Sequence, residues 1–209
     1  SIEATAINQS FSQQILDARS EKESLENSNP FFEATDGMDA AAIGYRYRKW
    51  DLGSDIKLVC RCEVHGKVNK KGEKLFMTSY ALNEWQSKTG NDLWRRKIDN
   101  QRGAVLANEL KNNACKLTKW TIQSILAGAD LMKLGFVSRK NITEPSSHFI
   151  LGTQFYKPKD FATQIALNQY NMWGVFKMMV ELVMSRPEGK YLIMKDPNKS
   201  VMRLYNLPN

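Results

Sequence analysis

Hydrophobic and polar positions change rhythm several times along the chain, and each rhythm predicts an element. From Ala41, "AAIGYRYRKWDLG" and "DIKLVCRCEVHG" alternate, with Ile56, Leu58 and Cys60 on one side. They predict two strands joined at Asp51-Leu52-Gly53. "KLFMTSYAL" (74–82) predicts a further strand. "AVLANELKN" (104–112) returns to strand, although its Ala and Leu also permit helix. Over 116–130, Leu117, Trp120, Ile122, Ile125 and Leu126 recur at helical spacing, with Gly128 near the exit. "LMKLGFVSR" (131–139) and "SSHFILGTQFY" (146–156) predict paired strands around the turn "KNITEPS". A long helix is expected from an N-cap at Asp160, two residues after Pro158, to Arg186 before Pro187. Its buried stripe is Phe161, Ile165, Met172, Phe176, Met179 and Val183. "KYLIMKDP" and "SVMRLYNLP" close the chain as two strands around "DPNK".

Two stretches break these rhythms. Residues 1–40 are polar and poor in pattern, with a short helix near 10–24 and then an arm whose "NPFF" can pack on the body. Residues 83–103, "NEWQSKTGNDLWRRKIDNQRG", read as an excursion from the sheet with one short helix, and long excursions inside a domain are often functional. The expected fold is α+β, with mixed, largely antiparallel sheets flanked by helices and no internal repeat. It divides into a 1–40 arm and a 41–209 body.

Composition sharpens this picture. At 209 residues and 42% hydrophobic content the chain can bury one substantial core. No run of about 18 apolar residues exists, so no membrane partner is expected. The opening residues lack a basic segment followed by an apolar one, so no signal peptide is expected. A start at Ser1 without Met is read as a trimmed chain or an excised domain. Lys and Arg number 30 against 22 acids, a net charge of +8, which favours a polyanionic partner. "YRYRKW" (45–50), "KVNKKGEK" (67–74), "WRRK" (94–97) and "KNNACKLTKW" (111–120) cluster the cations, three of them with aromatics, a mixture that can hold phosphates while rings stack on bases. Taken singly, each is more readily a solvated edge or turn. Three cysteines, 60, 62 and 115, form no disulfide framework and fit a reducing cytoplasm. Cys60-x-Cys62 with His65 lacks the fourth ligand and second pair of a zinc site. No metal or cofactor is expected.

The candidate chemistry centres on "NELKNNACKLTKWTIQSILAGADLMKLGFVSR" (108–139). On a strand, Glu109 and Lys111 would point to one side, with Gln123 following on a helix. Strand carboxylates of metal-dependent nucleases hold a divalent cation while a lysine polarises phosphate or water. Two converging acids are wanted. Glu63 is the other strand acid, but two residues on stands His65, and magnesium prefers oxygen to imidazole. Glu109 and Lys111 are equally readable as a structural ion pair.

The same stretch resembles the DXO family of decapping exonucleases, which carry Glu-Leu-Lys on a strand, then a helix with Gln-Ser, then a strand ending Gly-Phe-x-x-Arg. Glu109, Lys111 and Gln123 match that pattern, and Glu63-Val64-His65 resembles the family's Glu-apolar-Asp motif with the aspartate replaced. A longer resemblance runs through "YRYRKWDLG", "RCEVHG", "ALNEWQSKTGNDLWRRKIDNQRGAVLANELKNN", "LGFVSRK", "ILGTQFYKP" and "GKYLIMKDPNK". It is similar to the d-type subunits of eukaryotic translation initiation factor 3, taken as a family. The resemblance implies a DXO-like fold and recognition of the 5′ 7-methylguanosine cap of selected messenger RNAs without cleavage. It implies capped mRNA, other subunits of that factor and the small ribosomal subunit as partners, in the cytoplasm. It also implies a loop gating the RNA path, for which 83–103 is the candidate, with Trp85, Trp94, Arg95 and Arg96. The alternative is an active metal-dependent decapping or 5′ exonuclease enzyme.

A methylated guanine is flat and cationic, favouring an aromatic face and an acid that accepts from N1 and N2, while the triphosphate needs cations or free N–H groups. Asp99 and Glu109 are the candidate acids, Lys111 and Arg102 the phosphate partners, and Gln123 a base or sugar contact. Asn168 interrupts the apolar stripe, with Tyr170 and Asn171 just off it, and either satisfies a buried hydrogen bond or faces a cleft. Trp85 and Trp94 are the candidate stackers; Trp50, Trp120 and Trp173 are assigned to the core.

Overall fold

In the computed structural model, the described residues are 2–29, 41–85 and 94–208. The aromatic pair of "NPFF" and residues 86–93 of the expected gate loop lie outside them. The alternating segments form the two expected strands, β1 (Gly44–Gly53) and β2 (Ile56–Val64), paired antiparallel. Their loop is the two residues Ser54 and Asp55, both at positive φ, one step beyond the expected Asp51-Leu52-Gly53. Past His65 the chain continues as β3 (Gly66–Lys70) and turns at Lys71-Gly72 into β4 (Glu73–Asn83). The charge run 67–74 hid the β3–β4 hairpin from a reading of apolar alternation.

Three helices follow: α2 (Trp94–Lys97), α3 (Arg102–Asn112) and α4 (Ala114–Ala127). They carry the chain to β5 (Leu131–Arg139), parallel to β4, and β6 (His148–Tyr156), antiparallel to β5. The sheet order is β3-β4-β5-β6, so one parallel step interrupts an otherwise antiparallel arrangement. The class is α+β with mixed sheets, as the pattern predicts.

Strand alternation splits the sheet's two faces. Leu82, Met132, Leu134 and Phe136 meet Trp94, Ile98, Val105, Leu106, Leu117 and Phe161 in the main core. On the other face lies α1 (Ile2–Gln14), whose Phe11 packs with Ala81 and Val137. This helix starts and ends earlier than the expected 10–24, and its Phe11 seats over Gly135, where a Cβ would lie 2.2 Å from the ring. A third cluster, Cys62, Val64 and Ala127, joins the β1–β2 hairpin to the end of α4.

The single long helix expected from Asp160 is two helices. α5 (Pro158–Gln164) starts at Pro158, whose missing N–H costs nothing in the first turn, with Lys157 as N-cap. It ends in a left-handed Ala166 (φ 53°), with the Leu167 N–H bonded to the Ala162 carbonyl. Asn168 then caps α6 (Gln169–Met184), its side chain accepting from the Asn171 N–H at 2.9 Å. The apolar stripe runs through the break, which is why periodicity alone joined the two. β7 (Lys190–Lys195) and β8 (Met202–Leu207) form the expected closing hairpin. The chain separates into two compact units, Ser1–Leu167 and Asn168–Asn209.

Candidate functional site

Residues 102–112 correct the strand expected for Glu109-Leu110-Lys111. They form α3 because Ala, Leu, Glu and Lys are good helix formers, and Val105, Leu106 and Glu109 recur on one face. Two residues apart on a helix is about 200°, so the pair diverges. Glu109 turns inward and is 3% exposed, while Lys111 faces solvent. The Glu109 carboxylate accepts from Asn113 Nδ2 at 2.7 Å, fixing the corner between α3 and α4. Burial pushes its pKa up, against the Asn113 hydrogen bond and the Lys116 charge; the Glu84 carboxylate adds to the rise. No hydrogen bond or ion pair among the described residues joins Gln123 to Glu109 or Lys111. In α4 the buried positions are Leu117, Thr121, Ser124 and Ala127, and Gln123 lies between them, exposed. Its neighbour Ser124 is the one engaged inside, 2.7 Å from Thr78 Oγ1 on β4.

The remaining expected residues are dispersed. Asp99 is exposed after α2. Arg102 donates to the Ile98 carbonyl at 3.2 Å and to the Gln154 side chain. Trp85 is 83% exposed, open for stacking. Trp94, expected as a stacker, is instead core: it is buried edge-on against Phe136, 5.5 Å between ring centroids. Its backbone N–H and the Ser138 hydroxyl both donate to the Glu84 carboxylate, an anchor the sequence reading missed. Arg95 donates to the Arg139 and Lys140 carbonyls at the end of β5, and Arg96 is exposed. Asn168, Tyr170 and Asn171 belong to the second unit; Asn168 has the capping role, and Tyr170 is exposed.

What the fold does bring together is a band running from β2 across β4 to α4. Glu63 lies 3.7 Å from His65 Nε2. His65 is buried, accepts at Nδ1 from the Ser79 N–H at 2.9 Å, and meets Tyr80 edge-on at 5.6 Å. Tyr80 stacks on Trp120, 5.0 Å and 8° from parallel, and Lys116 Nζ sits 5.5 Å from the Trp120 ring. Burial lowers the His65 pKa, against the raising effect of Glu63, so the ring is held neutral. Burial also raises the Tyr80 pKa to about 12, keeping its hydroxyl protonated. Trp120 packs against the main core, as assigned. Its stack on Tyr80 could have been suspected only by knowing that α4 crosses β4.

The basic clusters are partly spent on structure. Arg46 reaches the Ala127 and Gly128 carbonyls at 3.1 Å, and Arg48 those of Ile125 and Leu126 at 3.1 and 2.8 Å. Two guanidinium groups thus cover the negative end of α4. Their i, i+2 spacing in "YRYR" was the signal for a shared face. Lys67 and Lys74 both pair with Glu23, whose pKa falls to about 2 through those hydrogen bonds. Cys60, Cys62 and Cys115 are free thiols. Among the described residues no three His, Cys, Asp or Glu side chains are grouped to hold a metal ion. Nor, among them, is any helix long and apolar enough to cross a membrane.

Comparison with known proteins places this arrangement. Residues 1–206 match the family model described as eukaryotic translation initiation factor 3 subunit 7 (eIF-3). The chain is 56% identical over 212 residues to the D-1 subunit of eukaryotic translation initiation factor 3 from Drosophila melanogaster and from Drosophila sechellia. It is 55% identical to that of Drosophila ananassae. All of this chain is covered, but it spans only 38% of the length of these relatives. Among solved structures, Scheffersomyces stipitis Rai1, a DXO-family protein crystallised with (3′-NADP)+ and calcium ion, is 19% identical at TM-score 0.43. That superposition covers 74% of this chain and 38% of Rai1. By the match along its whole length, the chain belongs to the eukaryotic translation initiation factor 3 subunit 7 family, the family of these Drosophila D-1 proteins.

Proposed function

We propose that this chain recognises the 5′ 7-methylguanosine cap of selected messenger RNAs during translation initiation and does not hydrolyse it. Membership of an initiation factor subunit family supports the role in initiation, with other subunits of that factor and the small ribosomal subunit as partners in the cytoplasm.

The observation that carries the non-hydrolytic half of the reading is the setting of His65. In the decapping nucleases that "RCEVHG" resembles, an aspartate two residues after the glutamate supplies a second oxygen to a cation. Here that position is an imidazole, buried, held neutral, and tied at Nδ1 to the Ser79 N–H. A hard cation needs several oxygen ligands, and Glu63 beside a neutral nitrogen offers one carboxylate. The other acid invoked by the resemblance, Glu109, sits inside the α3–α4 corner, where its raised pKa disfavours the anion. It serves as a brace in this reading.

Cap contacts are assigned to side chains that solvent reaches: Asp99, Lys111 and Gln123, with the half-buried Arg102 and with Trp85 as a stacking face. Asn168, Tyr170 and Asn171 of the second unit are a further set, of which Tyr170 offers an open ring. A flat cationic base and its phosphates match aromatic, acidic and basic groups of this kind.

The test uses the full-length protein and one RNA prepared with either a cap or a bare 5′ triphosphate. Capped RNA is expected to bind about ten-fold more tightly or better, a difference of about 1.4 kcal/mol or more, and free cap analogue to compete. In magnesium or manganese the RNA is expected to stay intact. Equal binding of both RNAs rejects cap recognition, and release of the cap nucleotide identifies an enzyme.

A further inference from the structure

The outer face of the β1–β2 hairpin reverses the usual division of an antiparallel pair. One-sided sheets turn apolar residues inward and polar ones to water. Here Arg46 and Arg48 point inward, onto the C-terminal carbonyls of α4, beside Cys62, Cys60 and Trp50. Alternation therefore sets Tyr45, Tyr47 and Lys49 outward, opposite Glu63, Arg61 and Val59. Tyr47 and Val59 are each 61% exposed, a ring and a β-branched side chain on a solvent-facing sheet. The Arg61 guanidinium lies 5.1 Å from the Tyr45 ring, so a cation and a ring are already in contact on this face.

Charge on this face is graded. At the turn end Asp51 is ion-paired with Lys57, and at the other end Glu63 stands beside His65. The centre, Tyr47, Lys49, Val59 and Arg61, holds two cations and no acid. Rings for stacking with cations about one side-chain repeat away, on a chain of net charge +8, suit a single-stranded polyanion whose units carry flat bases.

We propose that this face is an RNA-contact surface: Tyr47 stacks on an unpaired base, and Lys49 and Arg61 hold the flanking phosphates. Assigning that strand to the transcript beyond the cap rests on the function proposed above; the surface itself does not.

The test is fluorescence anisotropy of a short labelled, uncapped oligouridine with the full-length protein. Tyr47→Ala is expected to weaken binding about ten-fold, as loss of one stacked base does. Tyr47→Phe, which keeps the ring, is expected to bind as the parent. Joint replacement Lys49→Glu and Arg61→Glu is expected to flatten the dependence of log K on log salt by roughly 1.4, two single-strand phosphates at about 0.7 each. As a second readout, the indole of Tyr47→Trp is expected to be quenched by the oligouridine. Binding of free cap analogue is expected to be unchanged throughout, which separates this surface from the cap site. Should cap analogue not bind at all while the Tyr47 series behaves as stated, the surface stands and the cap reading falls. The inference is overturned if Tyr47→Ala and the double charge reversal bind the oligouridine as the parent does. It is equally overturned if those variants lose another protein subunit while RNA binding persists, which would make the face a protein interface.

Discussion

Glu109 is a carboxyl group placed where its charge is unwelcome. It is buried, its carboxyl accepts one hydrogen bond among the described residues, from Asn113, and it feels the carboxylate of Glu84. A carboxyl whose folded pKa lies above its unfolded one binds its proton more tightly when folded. Its stability contribution is therefore present at pH below the unfolded value and is lost as pH rises through the folded one. At neutral pH the anion is a penalty. Glu109→Gln keeps the shape and an acceptor for Asn113, and is expected to raise Tm at pH 7 by about 2–4 °C, the effect of roughly 1 kcal/mol at this chain length. The gain is expected to vanish in melts below the ordinary carboxylate pKa. A lower Tm at pH 7 would mean the anion is what the corner requires. The sequence made Glu109 visible as special but misplaced it, since three residues of alternation cannot distinguish a strand from one turn of helix. Asn168 was visible as well, but as a polar residue within one continuous helix, satisfying a buried hydrogen bond or facing a cleft; it is instead an exposed N-cap at the start of α6. Trp94 could not be sorted from Trp85, because both sit in the same polar stretch and only packing on Phe136 separates them.

Elements were most legible where period and punctuation agreed. α4 has an apolar face and a stop at Gly128, whose φ of 61° makes glycine the residue that fits. β5 and β6, an alternating run and its return, pair as expected. The failures were elements without a hydrophobic signature, namely β3, and one whose signature ran through a break, the α5–α6 pair. The seat of α1 was invisible because it depends on a non-local fit between Phe11 and Gly135. Phe11→Ala removes the one large, fully buried side chain of that helix and leaves a void on the sheet. Its expected cost is about 3–5 kcal/mol. Denaturant unfolding is expected to show that loss, and limited proteolysis early cleavage within α1. Unchanged stability would mean that α1 does not rest on the sheet as described.

At the scale of the whole molecule, the chain divides its basic charge between structure and surface. Arg46, Arg48 and Arg95 serve helix ends and backbone carbonyls, and Lys67 and Lys74 clasp Glu23. Charge counting alone credited all of these to a polyanionic partner. Lys49, Lys111 and Arg96 remain exposed to solvent. The central claim is that this chain, spanning 38% of its relatives' length, contains contacts to the blocked end of a transcript. Photo-crosslinking of RNA labelled within the cap to the full-length protein, followed by peptide mapping, reads that claim out. The label is expected on peptides containing Trp85, or from 94–127 or 168–171, and to disappear when free cap analogue is added. Label confined to 2–29, or label that the analogue leaves in place, would contradict it.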